Sequence, residues 1–267
     1  MLQIIKSYLK FLLYSKNQHG VHSPFVFDLV TKCFYDKKNY PEYEVLKNYR
    51  KSLLANKTII EVTDFGVGSR VFKTNQRKVC AIAKNAGISP KRAELLFRIT
   101  NYFQPDSVLE IGTSLGLATI ALSLGNKSRS IGTKIITLEG CPQTMAIAKN
   151  QCQLQNLNNI EFVNIEFEDY LKNLQLAPKT SGRILQLIYF DGNHSKNSTL
   201  EYFELLLPTI TNDSVWIFDD IHWSKDMEDA WEAIKNHPKV TVTIDTFQWG
   251  LVFFRKEQEK EHFSIRI

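Results

Sequence analysis

The side chains with most chemistry to offer are acids and histidines set just after short apolar runs. FDGNH places Asp191 three residues before His194, and WIFDDIHW places Asp219 and Asp220 ahead of His222. An imidazole titrates near neutral pH, so a histidine beside a carboxylate can take the proton of a reacting hydroxyl. ITLEG ends its run in Glu139, and VLEIGTSLG carries Glu110 followed by Gly112, Thr113, Ser114 and Gly116. Glycines at such a turn let backbone amides approach a ligand, and an acid ending the next strand can accept both hydroxyls of a ribose. Glu139 lies 29 residues after Glu110, which suits that role. The turn lacks the third close glycine of a dinucleotide site, which favours a nucleoside-bearing ligand without a diphosphate.

Such groups need a sheet behind them. Strand-like runs at 107–111, 133–138, 160–164, 184–190 and 214–218 alternate with helical runs at 114–124, 142–156, 167–174, 195–207 and 224–236. Alternation of this kind predicts a mostly parallel sheet with helices on both faces. Its ligands lie beyond the carboxyl ends of the strands. Nearly every run ends there in an acid, with Glu166, Phe167, Glu168 and Asp169 following the third. The runs 240–247 and 250–256 are separated only by Gln248 and Trp249, too short a link for a parallel crossover. They are expected to form an antiparallel hairpin at the edge of the sheet.

The first 88 residues read differently. Ile4, Ile5, Tyr8, Leu9, Leu12 and Leu13 recur at helical spacing with lysines between, an amphipathic helix for a protein face, a second copy of the chain or a lipid surface. Ser23-Pro24 and Ser89-Pro90 are helix starts, each a capping hydroxyl followed by a proline at the first helical position. TIIEVTDFGVGSR offers a rival glycine turn at Asp64, Gly66, Gly68 and Ser69, but a basic, poorly periodic stretch follows instead of an apolar helix. Residues 1–105 hold 18 Lys+Arg against 7 Asp+Glu, a balance of +11 inside a net charge of +5. That basic half fits either an anionic partner or a solvated lysine face. The four cysteines show no paired or metal-ligand spacing, no signal peptide is evident, and lysines interrupt the N-terminal apolar pattern. A cytoplasmic chain without a transmembrane segment is expected.

From about residue 89 to 256 the chain resembles class I S-adenosylmethionine-dependent methyltransferases. The resemblance rests on EIGTSLG, on Glu139, on the FDGNH and WIFDDIHW segments, and on the terminal hairpin. It looks nearest to the catechol O-methyltransferase-like branch. The resemblance implies a Rossmann-like, seven-stranded, mostly parallel sheet with an antiparallel C-terminal hairpin. A mainly helical extension, residues 1–88, would precede a methyltransferase domain, 89–267, and help to form its lid. Glu110, Gly112, Thr113, Ser114, Gly116, Glu139, Glu166, Phe167 and Asp191 would then hold S-adenosylmethionine. Asp191, Asp219 and Asp220 would hold a divalent cation such as Mg²⁺, and His194 with Asp191 would serve catalysis, with His222 the second candidate for the base. The expected reaction is methyl transfer to an oxygen of a small hydroxylated molecule. Methylation of an RNA nucleoside over the basic front half is the alternative, a scaffold that binds the cofactor without catalysis is another, and a homodimer through the N-terminal helices is the expected assembly.

Overall fold

The computed structural model describes residues 2–63, 65, 68, 72–126, 133–176 and 184–267. The rival turn at 64–71 therefore lies mostly outside the described residues. In chain order the helices are α1 (Leu2–Tyr14), α2 (Pro24–Leu29), α3 (Glu42–Ala55), α4 (Val79–Asn85), α5 (Pro90–Phe103), α6 (Leu117–Gly125), α7 (Pro142–Leu154), α8 (Phe167–Leu176), α9 (Lys196–Leu206) and α10 (Lys225–Asn236). The strands are β1 (Ile59–Glu61), β2 (Gln76–Lys78), β3 (Ser107–Ile111), β4 (Lys134–Glu139), β5 (Ile160–Asn164), β6 (Leu187–Phe190), β7 (Val215–Asp219), β8 (Val242–Asp245), β9 (Trp249–Phe253) and β10 (Glu261–Ser264). The fold is α/β and Rossmann-like, and contacts divide it into two compact units, Asp36–Phe167 and Met1–Tyr35 with Glu168–Ile267. Residues ahead of Ser89 are thus shared between the two.

In the unit 36–167, β3, β4 and β5 run parallel, with Leu109 opposite Ile136 and Leu138 opposite Val163. A parallel sheet covered on both faces needs apolar residues on both sides of its strands, and Val108, Leu109 and Ile111 are fully buried. Every residue of α6 is buried as well, so its LATIALSLG sequence is apolar all round. Ser89 caps α5 through the Arg92 amide, with Pro90 at the first helical position, as the sequence predicts. The short β1 and β2 make a separate antiparallel ribbon.

In the other unit the strand order is β10-β8-β9-β7-β6. β6 and β7 are parallel, β9 runs antiparallel to both β7 and β8, and β10 returns parallel to β8. Two expectations are corrected here. The core strands number eight among the described residues, and the hairpin is not the edge, because β10 covers β8. The signal for β10 is a weak period of two in a charged tail, with Phe263 and Ile265 buried between exposed or half-buried neighbours. Lys16 then extends the pairing, its amide donating to the Ser264 carbonyl at 2.8 Å. Aromatic rings fill the interior: Phe190 stacks on Phe218 at 4.1 Å, and Trp216 meets Phe203 and Phe254 edge-on. Gly250 is required by close approach, since a Cβ there would lie 2.5 Å from the Trp231 ring.

Candidate active site

The glycine turn is built around two carboxylates. Leaving β3, the amides of Gly112 and Thr113 both donate to the Leu138 carbonyl at 3.0 Å, which ties the turn to β4. Gly112 (φ 105°), Ser114 (φ 48°) and Gly116 (φ 80°) all have positive φ, a region in which glycine is unstrained and serine is not. A Cβ on Gly116 would also stand 2.6 Å from the Ala148 Cβ, so α7 packs against bare backbone at the start of α6. Glu139, ending β4, accepts the Ser114 amide on Oε2 at 2.7 Å and the Cys141 amide on Oε1 at 2.9 Å.

Glu110 is wholly buried beneath the turn. Its Oε2 accepts hydroxyls from Thr119 of α6 and Thr137 of β4, each at 2.5 Å. Burial raises its pKa to about 8, against the lowering effect of the two hydroxyls, and the charge of Glu139 adds to the rise. Its other oxygen, Oε1, is buried and has no hydrogen-bond partner. An orphaned buried carboxyl oxygen is costly, and a cationic group such as an ammonium placed against it would both give it a partner and favour its ionised form.

Three further residues shape this turn or the peptide after Glu139, and they carry no sequence signal strong enough to find them. Tyr49 of α3 donates its hydroxyl to the Leu115 carbonyl, inside the glycine turn. Asn164, ending β5, donates its side-chain amide to the carbonyls of Glu139 (2.7 Å) and Gly140 (3.0 Å). Phe65 rests its ring on Gly140. Of the expected cofactor residues, Glu110, Gly112, Thr113, Ser114, Gly116 and Glu139 stand together. Glu166 is exposed between β5 and α8, and Phe167 opens α8.

In the other unit, β6 and β7 deliver the remaining acids. Asp191 follows Phe190, and Asp219 is the last residue of β7, buried to 4% exposure. The hydroxyl of Tyr189 stands 3.3 Å from Asp191 Oδ2 and 3.4 Å from Asp219 Oδ2. His194 Nε2 lies 3.8 Å from Asp191 Oδ1, a loose pairing that the sequence spacing anticipates. Asn193 turns the chain between them with φ 52° and donates its side-chain amide to the Ser198 hydroxyl. Asp219 accepts the amide of Asp220, which itself has φ 54°. The three aspartates expected to ligate a cation do not gather into a site. No group of three His, Cys, Asp or Glu side chains that could hold a metal ion exists among the described residues.

His222, the second candidate base, is committed elsewhere. Its Nε2 is 2.8 Å from Asp245 Oδ2, its Nδ1 is 3.2 Å from Glu228 Oε1, and Phe247 stacks on its ring. Burial opposes the charged imidazole, but the two carboxylates outweigh it and hold the pKa above its ordinary value. Glu228 also accepts the Ser7 hydroxyl and the Gln3 side-chain amide, while Tyr8 and Phe11 pack on Phe247. His222 therefore braces Glu228 and Phe247, the two residues that α1 packs and bonds against.

A cavity of about 640 Å³ opens instead at the amino ends of β4 and β5, beside Lys134, Asn159 and Ser123. None of the candidate residues lines it.

The geometry agrees with what the chain is similar to. Residues 109–221 match the family model described as a methyltransferase domain. Among solved structures, the SAH-bound methyltransferase PaMTH1 of Podospora anserina superposes with TM-score 0.59 at 12% identity, covering 88% of this chain and 97% of that one. An O-methyltransferase from Bacillus cereus in complex with SAH gives 0.55 at 19% identity, covering 84% and 95%. The O-methyltransferase TomG of Streptomyces achromogenes, involved in tomaymycin synthesis and bound to SAM, gives 0.57 at 14% identity, covering 85% and 95%. No curated protein sequence matches the chain. Among the described residues no helix is long and apolar enough to cross a membrane. Residues 109–221 thus match a methyltransferase domain, and the chain shares the Rossmann-like fold of these SAH- and SAM-bound methyltransferase structures.

Proposed function

We propose that the chain transfers a methyl group from S-adenosylmethionine to a hydroxyl oxygen of a small acceptor. The observation that carries this is the glycine turn at 112–116, pinned by Glu139 and underlain by the orphaned oxygen of Glu110. Glu139 would receive the ribose hydroxyls on its remaining lone pairs, and Glu110 would meet the ammonium of the methionine part. Glu166, Phe167 and Asp191 complete the proposed cofactor set. The sulfonium supplies the methyl group. His194, oriented by Asp191, would take the acceptor's proton, because a neutral hydroxyl is a weak nucleophile until its proton has somewhere to go. Positioning supplies most of the remaining rate. We take residues 1–88 as an extension to a methyltransferase domain at 89–267. A second copy of the chain is the proposed partner, supported by the exposed stripe Ile5, Leu9 and Leu13 on α1, and Leu9→Glu should lower the mass seen in sedimentation.

The test is transfer of a radiolabelled methyl group from S-adenosylmethionine to a panel of hydroxylated small molecules and to RNA, with and without EDTA. Label on a small hydroxylated acceptor supports the reading, and loss of transfer on His194→Ala assigns the base. Label on RNA alone would replace it. Activity abolished by EDTA and restored by Mg²⁺ would mean that the three aspartates rearrange around a cation. Binding of S-adenosylhomocysteine with no transfer to any acceptor would favour a non-catalytic scaffold.

A further inference from the structure

Gly140 stands directly after the proposed ribose acid, and the space a side chain would fill there is taken by another residue. A Cβ on Gly140 would lie 2.5 and 2.7 Å from two ring carbons of Phe65. The ring is 50% exposed, although the chain shortly ahead of it, at 60–62, is anchored. Glu61 donates its backbone amide to Gln143 Oε1 at 2.8 Å, and the Cys141 thiol faces the Glu61 carbonyl at 3.6 Å. Ile60 and Val62 are buried, and Val62 donates to the Asn75 carbonyl across the ribbon. From the other side, Asn164 holds the carbonyls of Glu139 and Gly140. A half-exposed aromatic ring thus stands against the peptide that follows Glu139. Its exposed face gains nothing from that position, since burial rewards only the covered face.

We infer that Phe65 is a binding residue for the nucleobase of the cofactor, its ring forming a wall against which the purine packs. A ribose held by both hydroxyls at Glu139 must direct its base to one side of that residue, and aromatic rings are effective and sequence-tolerant partners for the faces of bases. With a side chain at position 140 the ring could not sit where it does. This inference rests on the proposed reading of Glu139 as the ribose acid. It also gives part of the N-terminal extension a role in holding the donor, separate from any role over the acceptor.

The experiment is calorimetric titration of S-adenosylhomocysteine into the full-length chain and into Phe65→Ala, Phe65→Leu and Phe65→Trp, with thermal unfolding of each. Phe65→Ala and Phe65→Leu should both weaken binding by about ten-fold or more, while Phe65→Trp stays within about three-fold of the parent. Leucine keeps an apolar cover on Gly140 without a planar ring, so equal losses in alanine and leucine variants separate stacking from packing. Parent-like affinity in Phe65→Ala overturns the inference and leaves the methyltransferase reading standing. Parent-like affinity in Phe65→Leu with a loss only in Phe65→Ala also overturns it, because simple cover then suffices. If the unaltered chain binds no S-adenosylhomocysteine, the reading of the site itself falls, and the inference with it. Should Phe65→Ala fail to fold, the leucine and tryptophan pair still decides the matter.

Discussion

The carboxylate of Glu139 accepts the backbone amide of Ser114 at 2.7 Å, so the acid ending β4 holds the turn that leaves β3. Ser114 has a positive φ, and the hydrogen bond helps to keep it there. Replacing Glu139 by alanine should therefore act twice, loosening the turn and removing the proposed ribose contact. A loss of about 1.5–3 kcal/mol in S-adenosylhomocysteine affinity is expected, the range for hydrogen bonds to charged groups. Calorimetry reads it directly. An unaltered affinity would mean that another acid holds the ribose.

Glu110 sets a pH dependence of stability. With a folded pKa raised to about 8 from 4.5, it is protonated in the folded chain and charged in the unfolded chain between those values. The folded state then binds more protons, and its stability falls as pH rises across that window. Glu110→Gln keeps an acceptor for Thr119 and Thr137 but does not titrate. The melting temperature of this variant should depend less on pH between 5 and 8 than that of the parent, and parallel curves would refute the assignment.

His222 gives a dependence of the same sign from an opposite chemistry. Its raised pKa means that its contribution is fully present below about pH 6.5, the unfolded value, and is lost as pH rises through the folded one. His222→Phe retains the ring against Phe247 and strands Glu228 and Asp245. At pH 6 it should cost about 1–3 kcal/mol by denaturant unfolding, with α1 exchanging its amide hydrogens faster. The difference from the parent should shrink toward pH 8. A constant difference would show that packing, and not charge, holds α1.

Gly116 tests the close approach at the start of α6. In Gly116→Ala the new methyl group meets Ala148 at 2.6 Å while the backbone keeps φ 80°, so two independent penalties combine. Destabilisation of about 1–3 kcal/mol or more is expected on denaturant unfolding. The double variant Gly116→Ala, Ala148→Gly should recover the packing part and leave the backbone part.

What the sequence by itself determined was local. VLEIGTSLG must turn where its glycines are, Glu139 must end an apolar strand, and Asp191 must lie close to His194, because three residues of a tight turn cannot separate them far. Ser23 and Ser89 each accept the amide three residues on, as the capping chemistry requires. The tertiary structure decided everything that depends on distant residues meeting. Tyr49 reaches the carbonyl of Leu115 across 66 positions, and Ser7 reaches Glu228 across 221. A tyrosine in a charged helix and a serine in an amphipathic one look like ordinary surface residues until the partner arrives. The same holds for the acids. Their positions after successive strands suggest shared work, yet sharing a cation is a matter of a few ångströms. Side-chain direction at the strand ends sets that distance, and there Tyr189 bonds both Asp191 and Asp219. His222 shows the converse: it stands beside the paired aspartates in the sequence, and its two ring nitrogens face Glu228 and Asp245 because β8 and α10 bring those carboxylates to it.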